Sequence, residues 1–180
     1  MTPVAIAQNI SGPDYLVLAI DPGNFETAYV LLRGDRKILA FGKVSNDNFR
    51  EQLLNMLRFP VPPTVVACEM VASYGMAVGA SVFETCCFIG ECKEIVRGHA
   101  PWVQVVRLEV KLHVCKSPKA NDANIRAALL DLYGPQGTKK EPGPTYGISK
   151  DVWAALALAE TVRSGNFRAY VNVNDRPAKA

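Results

Sequence analysis

Short apolar runs alternate along the chain with longer stretches in which apolar residues recur every three or four positions. Each run is rich in strand-forming residues and stops at a turn or at a charged residue. The second and third are separated only by Gly34-Asp35-Arg36, which predicts a hairpin. The five predicted strands are 15–20, 27–33, 37–44, 64–70 and 102–107.

The stretches of helical periodicity predict four helices. Asn46 is the predicted cap of the first helix and Ser149 that of the last, because both side chains can accept a hydrogen bond from a helix N-terminus. The predicted helices are 46–58, 78–96, 121–133 and 150–164. Three strands in a meander, then helix, strand, helix and strand before the last helices, predict an α/β domain with a mixed five-stranded sheet flanked by helices.

The length of 180 residues suits one domain, which we expect over 14–164, between a leader (1–13) and a C-terminal tail (165–180). No run approaches the roughly 20 apolar residues of a membrane span, and the start lacks a signal-peptide pattern, so we expect a cytoplasmic protein without a membrane partner. The five cysteines lack the spacing of a zinc site or a disulfide framework. The net charge of +3 permits a polyanionic partner without requiring one.

Three carboxylates occupy positions that such a fold can bring together. Asp21 ends the first strand in the turn IDPGN, Glu69 ends the fourth strand, and Asp151 lies at the start of the last helix. Each could be an ordinary turn or helix-terminus residue when taken alone. If the first and fourth strands are neighbours, however, the three acids meet at one sheet edge. Clustered carboxylates call for compensating charge, which hard divalent cations such as Mg²⁺ supply.

Four segments resemble, in the same order, the motifs of the RuvC family of Holliday-junction resolvases. They are AIDPGNFETAYVLL (19–32), ACEMVASYGMAVGASVFETCCFIGECKEIV (67–96), VKLHVCKSPKANDANIRAALLDLYG (110–134) and SKDVWAALALAE (149–160). The segments EMVASYGM, KANDANIRAAL and PGPTYG are similar to bacteriophage-encoded members in particular. The resemblance extends over about residues 15–162.

The resemblance implies an RNase H-like fold and a homodimer that cuts four-way and other branched DNA by paired, Mg²⁺-dependent nicks. Asp21, Glu69 and Asp151 match the family's catalytic, metal-binding acids, with two ions per site and Mn²⁺ as a substitute. The chain departs from the cellular members at Ala154, where they carry a further acid, and at Ala72, where they carry a phenylalanine. Tyr74 lies near enough to Ala72 to provide an aromatic ring for DNA.

Two groups of lysines accompany the acids and are candidates for contacts with DNA phosphates. The first group lies on or near the predicted basic loop before the helix at 121, and the second lies in a loop rich in Gly and Pro. The candidates are Lys111, Lys116 and Lys119 in the first group and Lys139 and Lys140 in the second. We also expect the apolar helix at 78–96 to form the dimer surface.

Three alternatives remain open from the sequence. A branched-DNA-binding protein of the same fold, catalytically weakened or inactive, would account for Ala154. An RNase H that acts on RNA–DNA hybrids would use the same acids. A sugar-kinase or actin-like ATPase also begins with a strand, Asp and Gly, but the chain lacks a second Gly-rich phosphate loop and is short for two such halves.

Overall fold

A computed structural model describes residues 12–72, 75, 77–165 and 167 of the chain. Five strands and five helices lie within these residues. In chain order they are β1 (Leu16–Pro22), β2 (Glu26–Arg33), β3 (Ile38–Ser45), α1 (Asn46–Leu57), β4 (Val65–Met70), α2 (Ala80–Val96), β5 (Trp102–Val106), α3 (Arg107–Cys115), α4 (Asp122–Tyr133) and α5 (Val152–Arg163).

The strands form one mixed sheet in the order β3-β2-β1-β4-β5. The first three strands are antiparallel neighbours, and β4 then pairs parallel to β1, as β5 does to β4. The predicted mixed five-stranded sheet and the neighbouring positions of β1 and β4 are both confirmed. The crossover through α1 is what returns the chain to the other side of β1.

The two faces of the sheet bury different helices. Small side chains of the central strands, Ala19, Ala28 and Ala67, belong to the core that α5 fills. They leave room for α5 to lie close against the middle of the sheet, which is why nearly every residue of that helix is buried. The opposite face carries a second core with residues of α1 and α2, including Phe49 and Phe88.

A buried ion cluster anchors the C-terminal part of α5. Glu160 is only 3% exposed and accepts hydrogen bonds from Arg163 (2.7 and 2.8 Å), Arg36 (3.0 and 3.2 Å) and the Tyr133 hydroxyl (2.8 Å). Burial alone would raise the pKa of Glu160, but these hydrogen bonds lower it. The carboxylate therefore stays ionised inside the protein, and it joins α5 to α4 and to the β2–β3 turn.

Two predicted helix caps are wrong. Ser45 rather than Asn46 caps α1, because the amide of Asn46 instead binds the loop that follows β1. Ser149 does not cap α5; Asp151 holds the N-cap position, without a side-chain cap bond. The cause is Lys150, whose φ of 46° turns the chain in the left-handed region just before the helix.

The predicted basic loop before residue 121 is partly wrong as well. Its first half is α3, which begins at Arg107 directly after β5 and ends at Lys116 with a φ of 56°. Residues 1–11 of the predicted leader, and 166 and 168–180 of the predicted tail, lie outside the described residues. In the part of the chain that the structure describes, no helix is long and apolar enough to cross a membrane.

Candidate active site

A row of register-matched residues runs across the sheet where β1 and β4 end. Asp21 pairs with Ala28 of β2, which in turn pairs with Lys43 of β3. The parallel pairing of β1 with β4 runs to Ile20 and Cys68, so its next step sets Asp21 beside Glu69. Register-matched residues project from the same face of a sheet. That face is the one covered by α5, and the first turn of α5 lies near the row.

The turn after β1 is built to hold Asp21 in place. The Gly23 amide donates to the Glu26 carbonyl at 2.9 Å, and a Cβ at Gly23 would lie 2.8 Å from that oxygen, so only glycine fits without a shift. Asn46 donates from Nδ2 to the carbonyls of Gly23 (3.1 Å) and Asn24 (3.2 Å). Its Oδ1 accepts from the buried Thr27 hydroxyl at 2.8 Å. The turn is thus tied to the start of α1.

Asp151 lies at the start of α5, on the side of the sheet that this helix covers. Its carboxylate is 52% exposed, and Oδ2 lies 2.8 Å from Nζ of Lys43. The same ammonium lies 3.0 Å from Oε2 of Glu26. These two contacts raise the pKa of Lys43 to about 12. Asp21 lines the same open cavity, of about 410 Å³, as Glu26, Lys43 and Asp151.

A second basic residue engages the other side of the row. Arg107, the first residue of α3, places Nη1 3.0 Å from Oε2 of Glu69 and Nη2 2.6 Å from Oδ1 of Asp122. Glu69 is 18% exposed. Burial raises the pKa of Glu69, although the Arg107 guanidinium partly lowers it. Arg107 therefore connects the end of β4 to the start of α4.

Asp21 is the acid of this site that no cation among the described residues contacts. Burial, followed by the charge of Glu69, raises the pKa of Asp21 to about 7, although the more distant charges of Arg107 and Lys43 partly offset both effects. Within the described residues, no hydrogen bond or ion pair reaches its carboxylate. A buried carboxylate of this kind gains most from an added cation.

The donor set fits Mg²⁺ in kind, because three carboxylates offer the hard oxygen ligands that this ion prefers. The arrangement is not yet that of a filled metal site. In the ranges 12–72 and 77–165 and at residues 75 and 167, no three acidic, histidine or cysteine side chains converge closely enough to hold an ion. Lys43 and Arg107 instead neutralise the two outer acids, Asp151 and Glu69. Metal binding would have to compete with them.

The predicted lysines lie at different distances from this site. Lys111 lies on α3 close enough for its charge to lower the pKa of Glu69 against the larger effect of burial. Lys116 caps the end of α3 that lies away from Glu69, with Nζ 2.9 Å from the His113 carbonyl. Lys119 follows in the loop before α4. Tyr74, the predicted aromatic contact, lies outside the described residues.

Lys139 and Lys140 lie at the tip of a tight hairpin between α4 and α5. A bridge between Gly137 and Pro142 closes it, and the Gly143 amide donates to the Gln136 carbonyl at 2.8 Å. A Cβ at Gly143 would lie 1.9 Å from the Pro135 carbonyl, so the loop admits only glycine there. The rigid hairpin holds two lysine side chains that form no ion pair with the described residues.

Sequence reasoning missed Lys43 and Arg107. Lys43 becomes a site residue only through the pairing of β1 with β2 and of β2 with β3, which local patterns do not specify. Arg107 carried a usable signal, because it directly follows a strand that neighbours β4, whose end bears Glu69. A cation at that point is in place to neutralise the acid.

The fold is α/β and RNase H-like, and the solved structures that are similar to it include Holliday junction resolvases. The chain is similar to RuvC of Thermus thermophilus (TM-score 0.65, 19% identity, 86% of this chain and 99% of that one). The same protein in complex with a Holliday junction substrate gives a TM-score of 0.68 at 16% identity, over 87% of this chain and 99% of that one. The yeast mitochondrial Holliday junction resolvase Ydc2 gives 0.55 at 14% identity, over 88% and 81%. No family model and no curated protein sequence matches the chain.

Proposed function

We propose that this protein is a metal-dependent endonuclease that resolves Holliday junctions and other branched DNA by paired nicks. The observation that carries the proposal is the placement of Asp21, Glu69 and Asp151 around one edge of an RNase H-like sheet, where the charges of Glu69 and Asp151 both act on Asp21. The likeness in fold to resolvases, one of them in complex with a junction, supports the choice of substrate. The similarity to bacteriophage-encoded members stays a prediction.

The three acids would hold Mg²⁺ or Mn²⁺, with two ions expected, and the ions would supply Lewis-acid polarisation of the scissile phosphate when bound. Asp21 is the central ligand in this proposal, because its hydrogen-bonded turn holds it in place and no cation within the described residues contacts it. Arg107 orients Glu69, and Lys43 orients Asp151. The chain's contribution is thus to hold three carboxylates around one phosphate position.

The lysines would bind the DNA backbone around the acids. Lys111 lies on the Glu69 side, and Lys119 precedes α4, whose first residue Asp122 contacts Arg107. Lys116 lies at the opposite end of α3, and Lys139 and Lys140 project from the hairpin that precedes α5. Such contacts neutralise phosphates without reading sequence. This arrangement suits an enzyme that selects DNA by shape, and Tyr74 is the proposed aromatic contact at the branch.

A homodimer is part of the proposal, and the surface we assign to it lies on α2. Phe83 is 60% exposed, and Cys86, Cys87 and Gly90 are also exposed on this helix. These positions recur at the three- and four-residue spacing of one helix face. Phe83→Glu should therefore turn a dimer into a monomer in sedimentation velocity runs, whereas an unchanged dimer would place the interface elsewhere.

An inactive branched-DNA-binding protein of the same fold is the second candidate. It is favoured by Ala154, which leaves the α5 side of the site with one acid, and by the cations that engage both outer acids. It shares the lysines and the fold with the first candidate. Only the presence or absence of DNA cleavage distinguishes the two candidate functions.

The decisive experiment is cleavage of a synthetic four-way junction beside a duplex, a flap and an RNA–DNA hybrid of matched sequence. We expect Mg²⁺ and Mn²⁺ to support paired nicks in the junction, Ca²⁺ to permit binding with little cutting, and Asp21→Asn to abolish nicking while junction binding persists. Binding of the junction without nicking under any of these ions would establish the second candidate. Preferential cutting of the hybrid would instead indicate an RNase H.

A further inference from the structure

Lys43 forms an ion pair with Asp151, one of the three acids proposed to bind metal. Its ammonium contacts Asp151 at 2.8 Å and Glu26 at 3.0 Å, and it faces the cavity that Asp21 also lines. The backbone of Lys43 is fixed by its pairing with Ala28 in the middle of the row. The sheet therefore holds the Lys43 ammonium within the site.

The two sides of the site differ in how firmly cations occupy them. Arg107 contacts Oε2 of Glu69, and within the described residues nothing donates to the other oxygen. In the part of the chain that the structure describes, no cation contacts Asp21. An ion could therefore bind between Asp21 and Glu69 while Arg107 stays in place, as one carboxylate can share its two oxygens between two cations.

On the Asp151 side, the carboxylate is already paired with a cation of the protein. Lys43 neutralises Asp151 there, and Ala154 adds none of the negative charge that an acid at that position would bring. The Lys43 side chain is 31% exposed, so water and ions reach the pair. An incoming divalent ion needs the same Asp151 carboxylate, and it would be repelled by the ammonium at short range.

We propose that Lys43 is a resident counterion that competes with metal ions for Asp151, so that the Asp21–Glu69 side loads first and the Asp151 side loads only when Lys43 is displaced. The inference rests on the metal site of the proposed function. It adds a specificity-determining residue that sets the order and affinity of loading. Once displaced, the ammonium remains beside the cavity, where it is free to contact a phosphate.

The test is a Mn²⁺ titration of the purified protein without DNA, with bound ions counted by electron paramagnetic resonance and affinities measured by calorimetry. Wild type should bind one ion tightly and a second weakly. Lys43→Met should tighten the weak step on the order of ten-fold, because a repelling unit charge at contact distance is removed. Lys37→Met is the matched control: it removes the same charge from an exposed residue of the β2–β3 turn, and should leave both steps unchanged.

Folding should not obscure the result, because exposed ion pairs contribute little to stability and the variants should melt alongside wild type in EDTA. If Lys43→Met binds Mn²⁺ as wild type does while both proteins nick junctions, the inference is overturned and the proposed function stands. If neither protein binds Mn²⁺ and neither nicks, both are overturned. If only the variant gains an ion, the competition is established directly.

Discussion

Asp21→Asn should stabilise the metal-free protein while it abolishes catalysis. The asparagine has nearly the same shape as the aspartate but cannot ionise. The aspartate must carry its charge in a half-buried position beside Glu69, where none of the described cations contacts it. The substitution therefore removes an unfavourable charge without opening a cavity.

The size of the gain follows from the pKa of Asp21. Its rise from 3.8 to about 7, at roughly 1.4 kcal/mol per pKa unit, makes ionisation of the folded state costly by about 4 kcal/mol. Because the folded-state pKa is raised, this cost is absent below pH 4 and grows as the pH rises from 4 to 7. Structural relaxation and bound salt ions reduce it, so we expect a net gain of about 2 kcal/mol at pH 7.5. For a chain of this size, that is roughly 4–8 °C in Tm.

The assay is thermal unfolding followed by circular dichroism at pH 4.5, 6.0 and 7.5 in EDTA, with urea unfolding as a second measurement. Asp131→Asn, at an exposed acid of α4, is the control and should show no gain that grows with pH. Mg²⁺ should narrow the difference by stabilising wild type alone. A variant less stable than wild type at pH 7.5, or a gain equal at pH 4.5 and 7.5, would refute the reasoning.

Three further predictions concern the DNA contacts, the missing acid and the buried ion cluster. Replacing Lys139 and Lys140 with Ala should lower the salt dependence of junction binding by about one unit of slope per lost phosphate contact in anisotropy titrations; an unchanged slope would show that they do not touch DNA. Ala154→Asp should leave nicking intact or alter only its metal preference; activity that appears only in this variant would favour the inactive binder. Glu160→Gln should cost about 3 kcal/mol in urea unfolding, since it leaves the largely buried Arg163 without its anion, and a loss below 1 kcal/mol would contradict that role.

The sheet and the three acids could be predicted because their signals are local. Each strand is a continuous apolar run, and Asp21 and Glu69 are placed by the points where two such runs stop. The neighbouring positions of β1 and β4 follow from the order of elements in a mixed sheet. Asp151 could be placed at the start of the last helix to within one residue.

The rest depends on geometry that the sequence does not display. Helix α3 was missed because it starts directly after β5, with Val106 at the N-cap and no side-chain cap bond to mark its beginning. The left-handed turn at Lys150, which moves the cap from Ser149 to Asp151, carries no glycine or asparagine as a signal. The role of Lys43 depends on a register that includes a bulge between Leu31 and Leu32.

The charge balance of the site compensates part of the repulsion between its clustered acids. Five carboxylates (Asp21, Glu26, Glu69, Asp122 and Asp151) lie with two cations (Lys43 and Arg107), so five negative and two positive charges leave a formal charge of −3. The two cations pair with the outer acids, yet burial still raises the pKa of Glu69, and burial together with the charge of Glu69 raises the pKa of Asp21 to about 7. The charge of Asp21 is therefore the least compensated in the site, and it leaves an electrostatic strain there. A divalent cation at Asp21 would relieve that strain without breaking either ion pair, which is why we expect it to bind there first.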